Sequence, residues 1–355
     1  MREKGITIAL LFIWLILTGC TEEFDSASLI TNLRVLSIKA DYPEICPISE
    51  EMCESVDGET TFHSRITLKA LVADENGVIA APDLEWGICN LRITANAKKI
   101  DCTTGNSFEL VQTPASDTAI ATHIDLLKPF LAFEEPELVK EIPGGIEIDD
   151  WGVFGVGDDE LAGLMNALSE DAFPVILGLK AKKGDKTRLA IKTVKLSATN
   201  NPNRNPEIEG VAIRPYVADY EDDVRDVTAF YDDETELRGD EPLVKLKTGG
   251  RYIFRVIMKE GWRQTFSVKG VEEMLEEGVL ISAFGTRGRF DEYMDGGAIT
   301  GPERHNYIVW NTPPVIEKEE ETVTLFFVAS DARGGQDWRY VLVTLVQNGD
   351  AAIQF

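Results

Sequence analysis

Cysteine, histidine, clustered carboxylates and loop aromatics are the residues of this 355-residue chain that could do chemistry, and their spacing limits what that chemistry can be. Four cysteines fall between positions 46 and 102: Cys46, Cys53, Cys89 and Cys102. A fifth, Cys20, stands apart. A zinc site would need closer C-x₂-C spacing or matched histidines, whereas His63, His123 and His305 are scattered along the chain. An even number of cysteines in an exported chain points instead to two disulfides, with three possible connectivities. The favoured pairs are Cys46–Cys53, closing a small loop around Pro47 to Met52, and Cys89–Cys102, bridging two strands across the turn Asn96-Ala97-Lys98-Lys99.

The other candidates are weaker. No G-x-S-x-G elbow, H-E-x-x-H zinc helix or P-loop occurs. Gly152 to Gly157 is glycine-rich but is not G-x-G-x-x-G and follows no βαβ pattern. Paired carboxylates for glycoside hydrolysis need only the right separation, and 61 acidic residues supply many such pairs by chance. The clusters Asp219 to Asp223 and Asp232 to Glu234 suggest calcium, with Asp222 and Asp223 as the candidate ligands. Calcium takes six to eight oxygens, however, and the EF-hand pattern is missing, so a solvated acidic loop is the favoured reading. No cofactor is expected. Trp262, in a stretch that reads as a hairpin turn, Trp310, and Phe290 and Tyr293 beside Arg289 in the loop Arg287–Tyr293 are expected to be exposed. Aromatics beside arginine on sandwich loops would suit a glycan or protein partner, and the alternative is ordinary edge packing.

The N-terminus carries an address. Arg2 and Lys4 precede an apolar stretch from Ile6 to Leu17, too short to span a bilayer of about 30 Å comfortably but sized for a signal-peptide core. It ends in Leu17-Thr18-Gly19-Cys20, which resembles the bacterial lipobox. The resemblance implies diacylglycerol on the Cys20 thiol, cleavage before Cys20 and acylation of the new amino group. Two or three acyl chains hold a protein stably where one does not. Thr21 after the cysteine implies outer-membrane sorting by the enterobacteria-like rule, on the periplasmic or surface face.

Composition narrows the partners. Hydrophobic residues make up 44 % and charged residues 27 %, which fits a globular body and not a disordered one. The net charge of −26 repels phosphate backbones, so nucleic acid is not an expected partner. Residues 1–19 carry Arg2, Lys4 and Glu3, one net positive charge, so their removal takes the chain to −27. A body of that charge does not dock by itself on anionic lipid. The acyl chains must hold it there.

The elements that would position these residues are mainly β. Residues 20–30 read as a lipidated cysteine and tether. Residues 31–198 read as one β-sandwich. Strands are expected from Leu33, over Ile66–Val72 with a turn at Asp74-Glu75-Asn76-Gly77, over Leu84–Cys89, and over Pro174–Lys180 and Thr187–Leu196. A helical insertion at about 123–172 interrupts it. Its best helix is Asp158–Asp171, with Leu161, Leu164, Met165 and Leu168 on one face and Asp158 as N-cap. Residues 199–206, rich in Asn and Pro, mark a linker. Residues 207–355 read as a second sandwich with strands over 252–258, 278–284, 322–329 and 338–346. A short helix between Gly270 and Gly278 would turn Val271, Met274 and Leu275 inward.

The ending Val328-Ala329-Ser330-Asp331-Ala332-Arg333-Gly334-Gly335 resembles the closing hairpin of immunoglobulin-like and PKD/cadherin-like modules of bacterial surface proteins. The chain also resembles lipoproteins of myxobacteria and related deltaproteobacteria. The segments that carry this are Leu33 to Ala40, Asn203-Arg204-Asn205-Pro206 and the Arg-Gly-Gly hairpin. The resemblance implies two immunoglobulin-like sandwiches in tandem and an envelope location, and it brings no activity or functional residue. The expectation is a lipid-anchored envelope protein that binds, adheres or assembles without catalysis, its partner a protein or a glycan. A carbohydrate- or solute-binding module and an envelope hydrolase with an unrecognised carboxylate site are the alternatives.

Overall fold

The computed structural model describes residues 28–47, 53, 62–80, 82–89, 108–112, 117–122, 125–127, 172–199, 201–216, 235–237, 242, 244–266, 274–291 and 305–347. Ten strands of the described residues precede the Asn-Pro segment. They are β1 (Arg34–Ala40), β2 (Glu44–Ile45), β3 (Arg65–Asp74), β4 (Gly77–Val78), β5 (Asp83–Cys89), β6 (Phe108–Glu109), β7 (Val111–Gln112), β8 (Thr118–Thr122), β9 (Phe173–Lys183) and β10 (Lys186–Leu196). One sheet has the order β1-β3-β8-β7 with β4 on β3, and the other has the order β2-β10-β9-β5-β6. Their inner faces enclose a core that includes Ile66, Leu68, Trp86, Ile88, Leu177, Leu179 and Val194.

Strand alternation explains this core. In β3, Ile66, Leu68, Ala70 and Val72 point inward and are buried, while Arg65 and Lys69 on the opposite face are exposed. The disulfide Cys46–Cys53, with Cα atoms 5.8 Å apart, closes the small loop after β2. Cys46 also forms a parallel bridge with Phe62.

Eleven more strands of the described residues follow. They are β11 (Ile208–Pro215), β12 (Thr235–Leu237), β13 (Lys245–Lys247), β14 (Arg251–Met258), β15 (Thr265–Phe266), β16 (Leu275–Glu276), β17 (Val279–Gly285), β18 (Arg289–Phe290), β19 (His305–Asn311), β20 (Glu320–Asp331) and β21 (Gln336–Val346). The sheets are β12-β11-β14-β19-β18 and β13-β21-β20-β17, with β15 and β16 a separate pair. The second core gathers Phe254, Phe290, Trp310 and Phe327. Phe254 lies 5.3 to 6.2 Å, centroid to centroid, from the other three rings.

Both halves share one wiring plan. An opening strand (β1, β11) pairs antiparallel with its successor in the first sheet (β3, β14). A short strand then crosses to the second sheet and pairs in parallel with the closing strand, β2 with β10 and β13 with β21. The orders β1-β3-β8-β7 and β11-β14-β19-β18 are the immunoglobulin order A-B-E-D. The opposing β10-β9-β5 and β21-β20-β17 are G-F-C. The protein is a tandem of two immunoglobulin-like β-sandwiches.

Two sequence expectations change here. Residues 274–276 do not form the last turn of a helix. Leu275–Glu276 is a strand paired with Thr265–Phe266, and Met274 and Leu275 face solvent at 57 % and 39 % exposure. The reason is local: β15 offers backbone pairing, Thr265 to Glu276 and Phe266 to Leu275. The 199–206 segment is a boundary, but a packed one, with Asn203 only 2 % exposed. The insertion expected at 123–172 lies outside the described residues except for Asp125–Leu127, whose two leucines belong to the first core.

Candidate functional site

The two sandwiches do not hang loosely from their linker. On β20, Val323, Leu325, Phe327 and Ala329 fill the second core, so Phe326 and Val328 must point out of the sandwich. Both are nevertheless buried. They pack with Leu71 and Ala73, the outward residues of β3, and with Ile30, while Leu36, Phe284 and Trp338 cover the margin. The backbone seals the same seam: Ile30 N donates to Gly285 O at 2.9 Å, and Gly285 N donates to Ser28 O at 2.9 Å. Burying a large side chain such as Phe326 contributes about 2–3 kcal/mol, so a patch of this kind holds domains together.

At one end of the seam a polar cluster takes over. The β20–β21 hairpin carries Asp331 at its base, and Asp331 Oδ1 accepts from the N–H groups of Arg333 and Gly335, each at 2.8 Å. Gly334 has φ +108°, a conformation open chiefly to glycine. Gly335 has a different constraint. A Cβ there would lie 2.1 Å from Asp331 Oδ2 and 2.9 Å from Arg204 O, so the hairpin fits the linker only without a side chain. Arg333 is then delivered across the junction, where Nη2 donates to Glu44 Oε2 at 2.9 Å and to Asn201 O at 3.3 Å. The Arg333 and Glu44 side chains are 11 % and 6 % exposed, and the Arg333 guanidinium lies 5.1 Å from the Phe266 ring.

The linker is built into the same cluster. Asn203 N donates to Glu44 Oε2 at 3.0 Å, and Asn203 Nδ2 donates to both oxygens of Asp331 at 3.3 and 3.2 Å. Asn205 Nδ2 donates to Ala40 O at 2.7 Å, while Asn205 Oδ1 accepts from Gln336 N at 2.9 Å. Gln336 Oε1 accepts from Ser37 Oγ and Ile38 N, and Asp337 pairs with Lys39 at 2.8 Å. Lys192 of β10 donates to Gly334 O. The segments Leu33–Ala40, Asn203–Pro206 and Arg333–Gly335 therefore meet at one place.

Electrostatics mark the junction as well. Burial, assisted by the nearby Asp331 and Glu44 charges and opposed by Arg333, pushes the Glu277 carboxyl up to about 7. Burial also raises Asp331, against the hydrogen bonds it receives from Gly335, Asn203 and Arg333. Lys192 is pushed down to about 8, chiefly by burial, with Lys39 adding repulsion and Asp331 opposing the shift. Glu277 Oε1, Asn203 Oδ1 and Arg333 Nη1 are buried without a hydrogen-bond partner in the protein. At 2 % exposure Glu277 presents no acid to a dissolved substrate, so the cluster's chemistry is that of a charged, proton-sensitive clasp.

The residues singled out from sequence fall elsewhere. Trp262 is 8 % and Phe290 1 % exposed. Both sit in the second core, which corrects the expectation that they stand on exposed loops. Phe290 is drawn in because β18 pairs with β19, setting it opposite Trp310. Trp262 follows Gly261, whose φ of +76° turns the chain back so that the indole caps the core and Arg263 lies 5.0 Å from its ring. Trp310 is fully buried, its Nε1 donating to Arg287 O at 3.2 Å. Arg289 stays exposed. Tyr293, Asp222, Asp223 and Cys20 lie outside the described residues. Cys89 is buried and disulfide-bonded, and the Cys102 expected as its partner lies outside them too. Among the described residues no group of three or more His, Cys, Asp or Glu is placed to hold a metal ion. Sequence reasoning missed Glu44, Asn203, Glu277 and Lys192. One signal was available: the unbroken apolar run Leu325-Phe326-Phe327-Val328-Ala329 marks a strand buried on both faces.

Comparison with known proteins adds little to this picture. No family model matches the chain, and no curated relative matches it. Among solved structures it is similar to a chimeric titin Z1Z2 functionalised with a decorin-derived peptide, at 8 % identity and a TM-score of 0.19, covering 90 % of this chain and 99 % of that one. It is also similar to dimeric latent PorU from Porphyromonas gingivalis, at 9 % identity and a TM-score of 0.19, covering 91 % of this chain and a quarter of that one. Superpositions this loose support no conclusion, and the fold assignment rests on strand order and pairing.

Proposed function

We propose that this chain is a lipid-anchored protein of a bacterial cell envelope, acting by binding or assembly and not by catalysis. The observation that carries the reading is the seating of Ser28–Ile30 in the seam between the sandwiches. Ile30 is fully buried there, against Phe326 and Val328 of one domain and Leu71 and Ala73 of the other. A load on Cys20, only eight residues before Ser28, would reach both domains at once and not one domain through a slack tether. That suits a rigid two-domain post on a membrane. The lipobox-like Leu17-Thr18-Gly19-Cys20 supplies the anchor. Burial of Trp262, Phe290 and Trp310 removes three of the aromatics on which a glycan-binding reading leaned. Radiolabelled palmitate tests the anchor directly. Incorporation into the whole chain, lost in Cys20→Ala together with membrane fractionation, is the expected result, and unchanged labelling in that variant would refute it.

A further inference from the structure

The closing strand of the first sandwich, β10, is eleven residues long, yet β2 covers its outer edge only at Lys195 and Leu196. The reason lies in the path of the chain. Strand β1 pairs into the opposite sheet, and the crossover reaches β10 only after Pro43, at the strand's far end. Lys195 N donates to Pro43 O and Ser197 N to Ile45 O, so the odd-numbered residues of β10 turn their backbone groups to this edge. Near Thr193 the edge is closed by the second domain, since a Cβ on Gly334 would sit 3.5 Å from Thr193 O. From Thr187 to Ile191, no strand among the described residues pairs with it. Leu189 and Ile191 are 63 % and 53 % exposed, the first of these two values being close to the highest for any large apolar side chain described.

An exposed apolar edge strand is a template for another strand. We propose that the Thr187–Ile191 edge is a strand-addition site for an extended segment of a partner protein in which apolar and acidic residues alternate. The backbone of Leu189 and Ile191 would supply the ladder, and their side chains the apolar contacts. Charge selects the partner. Strand β10 carries Lys186, Arg188, Lys192 and Lys195 and no acidic residue, in a chain of 61 acidic and 35 basic residues. Lys186 and Arg188 bond to neutral acceptors, Asn32 Oδ1 at 2.7 Å and Thr187 O at 3.0 Å, and among the described residues no carboxylate pairs with either. By contrast Lys180 and Lys182 on β9 are already held by Glu85. A second copy of this chain is disfavoured as occupant, because edge-to-edge pairing would set Lys186 and Arg188 of one copy against those of the other. The proposal rests on the binding reading above and names the chemistry of its partner.

The test uses the full chain in detergent and a capped eight-residue peptide of alternating valine and glutamate. A valine–lysine counterpart and a valine–glutamate version N-methylated at alternate amides serve as controls. The acidic peptide should slow amide hydrogen exchange at Leu189 and Ile191 about tenfold or more, and bind at least about tenfold tighter than the lysine peptide. N-methylation should abolish binding. Ile191→Pro removes an edge donor without touching the β9 ladder and should abolish it too. Leu189→Glu, on an exposed side chain, keeps the fold if Ile191→Pro does not, and should weaken binding at least about tenfold. Equal binding of both peptides, indifference to these variants, or no protection at 189 and 191 overturns the proposal. Concentration-dependent protection of the same amides without peptide also overturns it, in favour of self-pairing. Palmitate labelling is read separately, so failure of the anchor and failure of the edge site remain distinguishable.

Discussion

The two closing hairpins occupy the same place in the same wiring plan and have opposite fates. In the first sandwich β9 and β10 meet at a tip of Gly184-Asp185, and the end of the hairpin stands in solvent with Leu189 and Ile191 uncovered. In the second, β20 and β21 meet at Ala332–Gly335, and the hairpin is driven into the neighbouring domain, with Phe326 and Val328 covered and Arg333 on Glu44. The antiparallel strand pairing is shared, but the tips differ in length and in side chains, two residues in the first and four in the second. The second tip has two adjacent glycines that permit close approach and an arginine that reaches a buried carboxylate. The first tip is flanked by Lys183 and Lys186, which bond within their own domain, to Asp74 and to Asn32.

Phe326→Ala is the most direct way to break that contrast. It empties a fully buried site at the seam and should cost about 3–5 kcal/mol. In urea unfolding followed by domain-specific fluorescence, we expect the shared transition to split into two. Arg333→Ala should cost about 3–5 kcal/mol at the other end of the seam, because it leaves Glu44 buried and unpaired. Arg333→Ala with Glu44→Leu should recover most of that loss. An unchanged midpoint in the single variant would mean the clasp holds nothing.

pH should sharpen the comparison, since the buried titrating groups cluster at the second hairpin. Glu277 rises from 4.5 to about 7 on folding, so its proton favours the folded junction. Its contribution is fully present below about pH 4.5 and is lost as pH climbs through 7. Lys192 falls from 10.5 to about 8, so its contribution has the opposite sign, and stability is gained as pH rises from about 8 to 10.5. We expect Glu277→Gln to flatten the limb between pH 4.5 and 7 and Lys192→Met the limb between 8 and 10.5, each read as a difference from the parent urea midpoint. The smallest effect belongs to the first hairpin. Leu189→Ser should change stability by no more than about 0.5 kcal/mol, because the side chain already faces water. A loss of several kcal/mol there would show that the edge is covered after all.

Much of this was legible in the sequence. Alternating patterns gave β3, β5, β10 and β14 to within a few residues, and the Asn-Pro stretch marked the boundary between sandwiches. The seven-residue spacing of Cys46 and Cys53 pointed to the disulfide that forms. The aromatics were misread because pattern alone does not say whether a short strand such as β18 turns its single aromatic in or out. That choice depends on β19, which lies some fifteen residues further along. The clasp was invisible for a similar reason. Glu44, Asn203, Glu277 and Arg333 are ordinary polar residues wherever they stand, and they become a cluster only when segments up to 289 residues apart are brought together.

By itself, then, the sequence determined what depends on neighbours along the chain: strand periodicity, turn chemistry and the near-range cysteine pair. The tertiary structure alone decided which outward faces would be covered. Phe326 and Leu189 are both apolar residues on the strands of a closing hairpin. One is buried and the other free because a second sheet lies against the first of them and not against the second. Burial is a property of what packs against a residue, and no local pattern carries that information.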